Sequence, residues 1–216
     1  MDTPGVFADA VALIRAGQTD QAVNLLLTAV PDLPAEEHQR ALSYAGLACY
    51  FAERWADALG YFEQAAADSE VPEDHFNVAM CLIRLDRIEE AHSAWQQVVD
   101  LSYAQQDAPE TSSFFEKKLM FARALRDAGA CDARGLDLVA RQLMGFFTTN
   151  HITDASFWGI RRVPPFEAVL ETTRDYYRAM GKPESDWTAF LDGLAPEVDE
   201  EGRALLATMR DGYVEG

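Results

Sequence analysis

The sequence predicts an all-α protein built from stacked helix hairpins. Apolar residues recur with a helical period along most of the chain. The pattern Ala-x-x-x-(large apolar)-x-x-(small apolar) returns three times in the first hundred residues, and short polar turns or prolines separate the helical stretches. With 216 residues, 49% of them apolar, the chain is long enough to bury a substantial core.

The repeated pattern opens the second helix of three similar segments. Its anchor residues are Ala22, Leu26 and Ala29, then Ala58, Phe62 and Ala65, then Ala91, Trp95 and Val98. The leading alanines lie 36 and 33 positions apart. Antiparallel helices approach to about 8–10 Å only where small side chains face each other. The spacing therefore predicts nested helix pairs, and the small residues of the first helices are Ala10, Gly46 and Ala79.

These three segments resemble the tetratricopeptide-repeat (TPR) family, whose period is about 34 residues. The resemblance implies a right-handed α-solenoid of about three hairpins over residues 1–100. It also implies that the first helix of each hairpin lines a concave groove for a peptide or helix of another protein. The motif positions facing that groove carry over to Phe7, Val11, Ile14, Ser43, Leu47, Tyr50, Phe76, Asn77, Met80 and Arg84.

The second half of the chain is less regular. Residues 101–112 are expected to form a loop, and residues 101–150 to contain a degenerate fourth repeat with Gly135 or Arg134 at its small crossing position. The groove positions of this repeat are Leu119 and Arg123. Residues 151–166 are expected to be mostly loop because of their turn formers and the Pro164-Pro165 pair. Residues 163–216 are expected to form a C-terminal helical cap over the exposed end of the repeats. The alternative is a docking element specific to this family.

One loop segment combines aromatic and cationic residues. Trp158, Arg161 and Arg162 could grip an anion or a partner peptide. In the alternative interpretation, Phe157 and Trp158 fill the core while the two arginines pair with acidic residues of the repeats.

Composition restricts the classes of function. The net charge is −18, with −14 in residues 1–110 and −4 in residues 111–216, so binding to nucleic acid or an anionic membrane is disfavoured. No apolar run is long enough for a membrane span, and no signal peptide is evident, which predicts a cytoplasmic protein. The histidines and three cysteines have no metal-ligand or catalytic spacing, so we expect no metal, cofactor or enzymatic activity.

The leading hypothesis is therefore a non-enzymatic protein–protein interaction module. It would act as an adaptor or chaperone-like scaffold for a partner with apolar anchors and basic character. Two alternatives remain open at the sequence level. The C-terminal half could form a ligand-binding or catalytic pocket with the repeats as scaffold, or the chain could self-associate as a homodimer.

Overall fold

A computed structural model describes residues 3–104, 112–211 and 213. Every regular element in these ranges is helical and none is a strand, which confirms the all-α prediction. The chain divides into two compact units, residues 1–105 and 106–216. The loop expected at residues 101–112 falls largely on positions 105–111, outside the described residues, and helix extends to Ala104 on one side and from Ser112 on the other.

The first unit consists of six helices that each contact the next one along the chain. They are α1 Thr3–Arg15, α2 Thr19–Ala29, α3 Ala35–Phe51, α4 Trp55–Ala66, α5 Pro72–Arg84 and α6 Ile88–Ala104. Helix α1 also contacts α3, so the first helices of the first two pairs are neighbours. Pro34 precedes α3 and Pro72 begins α5, where a missing N–H costs no helical hydrogen bond.

The turns inside the three helix pairs close in the same way. Each has one residue in the left-handed region, with φ of 70° at Gly17, 59° at Glu53 and 58° at Asp86. The N–H of the following residue then donates to the carbonyl five positions earlier. These bonds run from Gln18 to Leu13, from Arg54 to Cys49 and from Arg87 to Leu82, each at 2.9 Å. This is the Schellman arrangement, which satisfies carbonyls that the helix end would otherwise leave unpaired.

The predicted small residues are buried at the helix crossings. Ala22, Ala58 and Ala91 are fully inaccessible to solvent. At Gly46 a Cβ atom would lie 2.6 Å from two ring carbons of Phe62, a separation that packed atoms do not tolerate. The glycine therefore lets α3 approach the aromatic residue that the sequence pattern places on α4.

The second unit is built around a helix pair that a third helix covers. Its elements are α7 Ser112–Asp127, α8 Ala133–Gln142, which continues through a π-helical turn Leu143–Phe147 into α9 Thr148–Asn150, then α10 Ala155–Gly159, α11 Phe166–Ala179, α12 Glu184–Leu194 and α13 Glu200–Asp211. The α7–α8 turn repeats the closure of the first unit, with φ of 71° at Gly129 and a 2.8 Å bond from the Ala130 N–H to the Leu125 carbonyl.

Residues 151–166 are mostly non-helical and include one short helix. Residues 155–159 form the short helix α10 because Asp154 caps it, its carboxylate accepting from the Ser156 N–H at 2.7 Å. An Asp N-cap supplies the acceptor that the first free amides of a helix need. A helix of five residues makes little more than one turn, so the spacing of apolar residues in the sequence does not reveal it.

Helix α11 packs on both α7 and α8. Tyr176 is fully buried, and its hydroxyl donates to the Ala122 carbonyl of α7 at 2.7 Å. A Cβ at Gly135 of α8 would lie 2.4 Å from that hydroxyl. The small residue expected at this crossing is therefore Gly135, and the side chain it accommodates comes from α11.

Candidate functional site

The predicted groove positions of the first unit lie on α1, α3 and α5, and we call this surface the α1–α3–α5 face. Two of its predicted residues, Phe7 and Phe76, are only 4% exposed and belong to the core. Arg84 is exposed. The remaining positions are half-buried: Val11, Ile14, Ser43, Leu47, Tyr50, Asn77 and Met80. The accessible part of the face is thus mainly apolar.

Aromatic packing joins α1 to α3. The rings of Phe7 and Tyr44 lie 5.5 Å apart, and the guanidinium carbon of Arg40 lies 4.3 Å from the Phe7 ring centre. A cation above an aromatic face is attracted by its quadrupole. Phe7 therefore supports the α1–α3 contact, while the accessible positions of α1 are those farther along the helix.

A buried carboxylate joins α3 to α5. Asp74, which is 9% exposed, accepts from the Ser43 hydroxyl at 2.9 Å and from the Ser69 hydroxyl at 2.6 Å. Hydrogen bonds to a buried charge offset its lost hydration. The Ser43 hydroxyl is consequently engaged within the protein. Asp74 did not stand out in the sequence, because an acid in the first turn of a helix is common.

An accessible aromatic group lies at the end of α3. The Tyr50 ring is 4.8 Å from that of Trp55, and the guanidinium carbon of Arg84 is 5.7 Å from the Trp55 ring centre. The adjacent Phe51 is 70% exposed. Large exposed aromatic side chains are typical anchors of protein interfaces. Sequence reasoning identified Tyr50 and Arg84 but missed Phe51, which lies off the repeat positions.

The second unit contains a cavity of about 600 Å³ between α7, the segment that follows α10, and the start of α11. Two of the predicted fourth-repeat positions, Leu119 and Arg123, line it together with Arg162. Its other lining residues are Glu116, Met120, Gly159, Val163, Pro164, Pro165 and Ala168.

Arg123 is held in place by neutral partners. Its Nε donates to the Thr172 hydroxyl at 3.1 Å and its Nη2 to the Ala168 carbonyl at 3.3 Å. Leu119, by contrast, is 5% exposed and mainly a core residue. The polar side chains that α7 contributes to the cavity wall are therefore Arg123 and Glu116.

The structure separates the three residues of the predicted loop site. Trp158 is 3% exposed, its indole N–H donates to the Ile152 carbonyl at 2.8 Å, and its ring lies 4.6 Å from that of Phe146. Arg161 lies outside the cavity, 4.0 Å above the Phe157 ring. Arg162 reaches the cavity. Among residues 112–211 neither Arg161 nor Arg162 forms an ion pair. Their pairing with acidic residues of the repeats stays a prediction.

The three cysteines lie in environments that disfavour the thiolate. Burial raises the pKa of Cys81 to about 12 and that of Cys131 to about 11, and it also raises the pKa of Cys49. A thiol that stays protonated near neutral pH is a poor nucleophile. No group of three metal-ligating side chains occurs among the described residues, and no helix in that part of the chain is both long and apolar enough to cross a membrane.

Comparison with protein-family models, with curated proteins and with solved structures finds no match to this chain. The resemblance to the TPR family therefore stays a prediction from the repeated residues.

Proposed function

We propose that this chain is a non-enzymatic protein-interaction module of the TPR type. The first unit would be a right-handed solenoid of three hairpins, with α7–α8 as a degenerate fourth repeat and the C-terminal helices as a cap. The α1–α3–α5 face would hold a peptide or helix of a partner, as an adaptor or chaperone-like scaffold does. The observation that carries the proposal is the recurrence of one packing unit at intervals close to 34 residues.

Two independent features of that unit support the TPR interpretation. The left-handed turn residues Gly17, Glu53 and Asp86 recur 36 and 33 positions apart, the same intervals as the crossing alanines. The small residue of α3, Gly46, fits against Phe62 where the pattern requires close approach. Turn and crossing recur together because each repeat must reproduce the same hairpin to pack on its neighbour.

The chemistry of the face favours a partner that presents apolar anchors. Its accessible side chains include Val11, Leu47 and Met80, and none of these offers a hydrogen bond. Burying such side chains against a partner is favourable by about 25 cal/mol per Å² before the costs of association. The net charge of −14 in residues 1–110 would attract a basic partner over longer distances.

The test compares two charge-matched double variants. Leu47→Glu/Met80→Glu places two carboxylates on the face, whereas Leu27→Glu/Gln97→Glu places two carboxylates on exposed positions of α2 and α6. A candidate partner is first co-purified with the wild-type chain and then titrated, as a purified protein, by calorimetry.

We expect the face variant to bind the purified partner at least 10-fold more weakly and the control to bind within about 2-fold of wild type. Both variants should retain wild-type helicity by circular dichroism. Equal affinity of the two variants for the partner would refute the assignment of this face.

A further inference from the structure

We propose that the cavity of the second unit binds a small organic acid, with a carboxylate at Arg123 and Arg162 and an aliphatic body against the apolar wall. This site is separate from the α1–α3–α5 face and involves only residues of the second unit.

The two guanidinium groups are cationic and lack a carboxylate partner. Arg123 donates to a hydroxyl and a carbonyl, and within the described ranges neither it nor Arg162 forms an ion pair. Glu116 is the one acidic residue among the described residues that line the cavity, and it pairs with neither arginine.

Elsewhere in this acidic chain arginines commonly meet carboxylates. Arg126, for example, pairs with Asp175 at 2.8 Å, and Arg87 pairs with Glu90 at 2.6 Å. An excess of positive charge at a cavity wall therefore contrasts with a net charge of −18. Because a guanidinium binds carboxylates through two parallel hydrogen bonds, an anionic ligand is the complement of this wall.

The rest of the lining indicates an aliphatic ligand body. Leu119, Met120, Val163, Pro164 and Pro165 surround the cavity, and Met120 is 45% exposed. The volume of about 600 Å³ lies within the range typical of small-molecule sites. No aromatic ring is among the described residues that line the cavity, so these residues offer no stacking surface for a nucleotide base.

Arg162 lies in a left-handed turn position, as Glu53 and Asp86 do in the first unit. Its φ is 53°, and the closing bonds run from its N–H to the Gly159 carbonyl and from the Val163 N–H to the Trp158 carbonyl, at 3.1 and 3.2 Å. Glycine suits this position best. The equivalent residues after α7 and α11 are glycines, Gly129 and Gly181. At the cavity the same turn carries an arginine, at a conformational cost that glycine would avoid.

The experiment titrates the full chain by calorimetry with three probes at fixed ionic strength. Octanoate carries both the carboxylate and the aliphatic body, 1-octanol carries the body alone, and inorganic phosphate carries only negative charge. We expect saturable one-to-one binding of octanoate, at least 10-fold tighter than either other probe.

The matched variants change one arginine each. Arg162→Gly removes the guanidinium while relieving the left-handed backbone, and Arg162→Gln removes it while keeping a side chain. Arg161→Gln removes the same charge from the neighbouring position outside the cavity. We expect both Arg162 variants to bind octanoate about 10-fold more weakly or worse. The Arg161 variant should stay within about 2-fold of wild type, since the Arg161 guanidinium lies over the Phe157 ring and does not line the cavity.

Several results would overturn the site. They are absence of saturable octanoate binding, equal affinity for octanoate and 1-octanol, equal affinity for octanoate and phosphate, and equal weakening by Arg161→Gln and Arg162→Gln. The face variant Leu47→Glu/Met80→Glu should retain full octanoate affinity, so failure of this site and failure of the proposed protein-binding function give different results.

Discussion

The substitution Gly46→Ala tests the close approach of α3 and α4 directly. The added methyl group would lie 2.6 Å from Cδ1 and Cε1 of Phe62 and 2.9 Å from its Cζ. The ring is only 1% exposed, so it has no free space into which to move. Overpacking of this kind costs about 1–3 kcal/mol. Alanine recovers about 0.8–1.0 kcal/mol through its higher helix propensity.

Because the contacts are shorter than 3.0 Å and the ring is buried, the overpacking cost should lie in the upper half of its range, at about 2–3 kcal/mol. After the helix-propensity gain, we expect Gly46→Ala to lower the free energy of unfolding of the first unit by about 1–2 kcal/mol. For about 100 residues this lowers Tm by roughly 5–10 °C. The assay is urea denaturation followed by circular dichroism, with amide hydrogen exchange on α3 and α4 to assign the change to the first unit.

The matched control is Gly60→Ala, the same chemical change within α4. A Cβ at Gly60 meets no atom within 4 Å, so only the helix-propensity gain of about 0.5–1 kcal/mol remains and Tm should rise. A double-mutant cycle with Phe62→Leu should show that the Gly46→Ala penalty shrinks when the ring is removed. If Gly46→Ala is as stable as wild type, or if both glycine variants shift Tm in the same direction, the steric reasoning is refuted.

Three other predictions concern single side chains. Glu53→Gly should stabilise the first unit by about 1 kcal/mol, because φ at this position is 59° and glycine adopts it without strain; a decrease in the urea midpoint would contradict this. Tyr176→Phe should destabilise the second unit by about 1–2 kcal/mol, since the Ala122 carbonyl loses the buried hydroxyl that donates to it; unchanged stability in thermal unfolding would count against that bond. Burial opposes ionisation of Asp199, but hydrogen bonds from the Thr153 side chain, the Gly202 N–H and the Thr153 N–H together hold its pKa below the usual value. A lowered folded pKa stabilises the protein above the unfolded pKa of about 3.9, and that stabilisation is lost as the pH falls through the folded pKa. The stability difference between wild type and Asp199→Asn should therefore be full at pH 7 and shrink below about pH 4, and a pH-independent difference would disprove the linkage.

The two proposed sites differ in how far the sequence could reveal them. The α1–α3–α5 face consists of positions that the resemblance to the TPR family assigns to the groove, so Leu47 and Met80 could be named before the structure. The cavity brings Arg123 of α7 together with Arg162, which lies 39 positions later in the chain. Arg123 lies in a helix and Arg162 in an irregular segment, so no sequence period predicts that the two residues lie close together. The aromatic residues near Arg162 drew attention to the segment, but its neighbour Arg161 looked equally suitable.

The sequence alone determined the helical class, the three hairpins of the first half and their small crossing residues. These features are local or strictly periodic, and each is set by helix geometry and by the volume of one side chain such as Ala58 or Gly46. Only the tertiary structure decided that Phe7 and Phe76 are buried while Phe51 is exposed, that Tyr176 fills the space beside Gly135, and that Arg162 rather than Arg161 faces a cavity. These outcomes depend on which distant surfaces meet, and that is determined by packing across the whole unit.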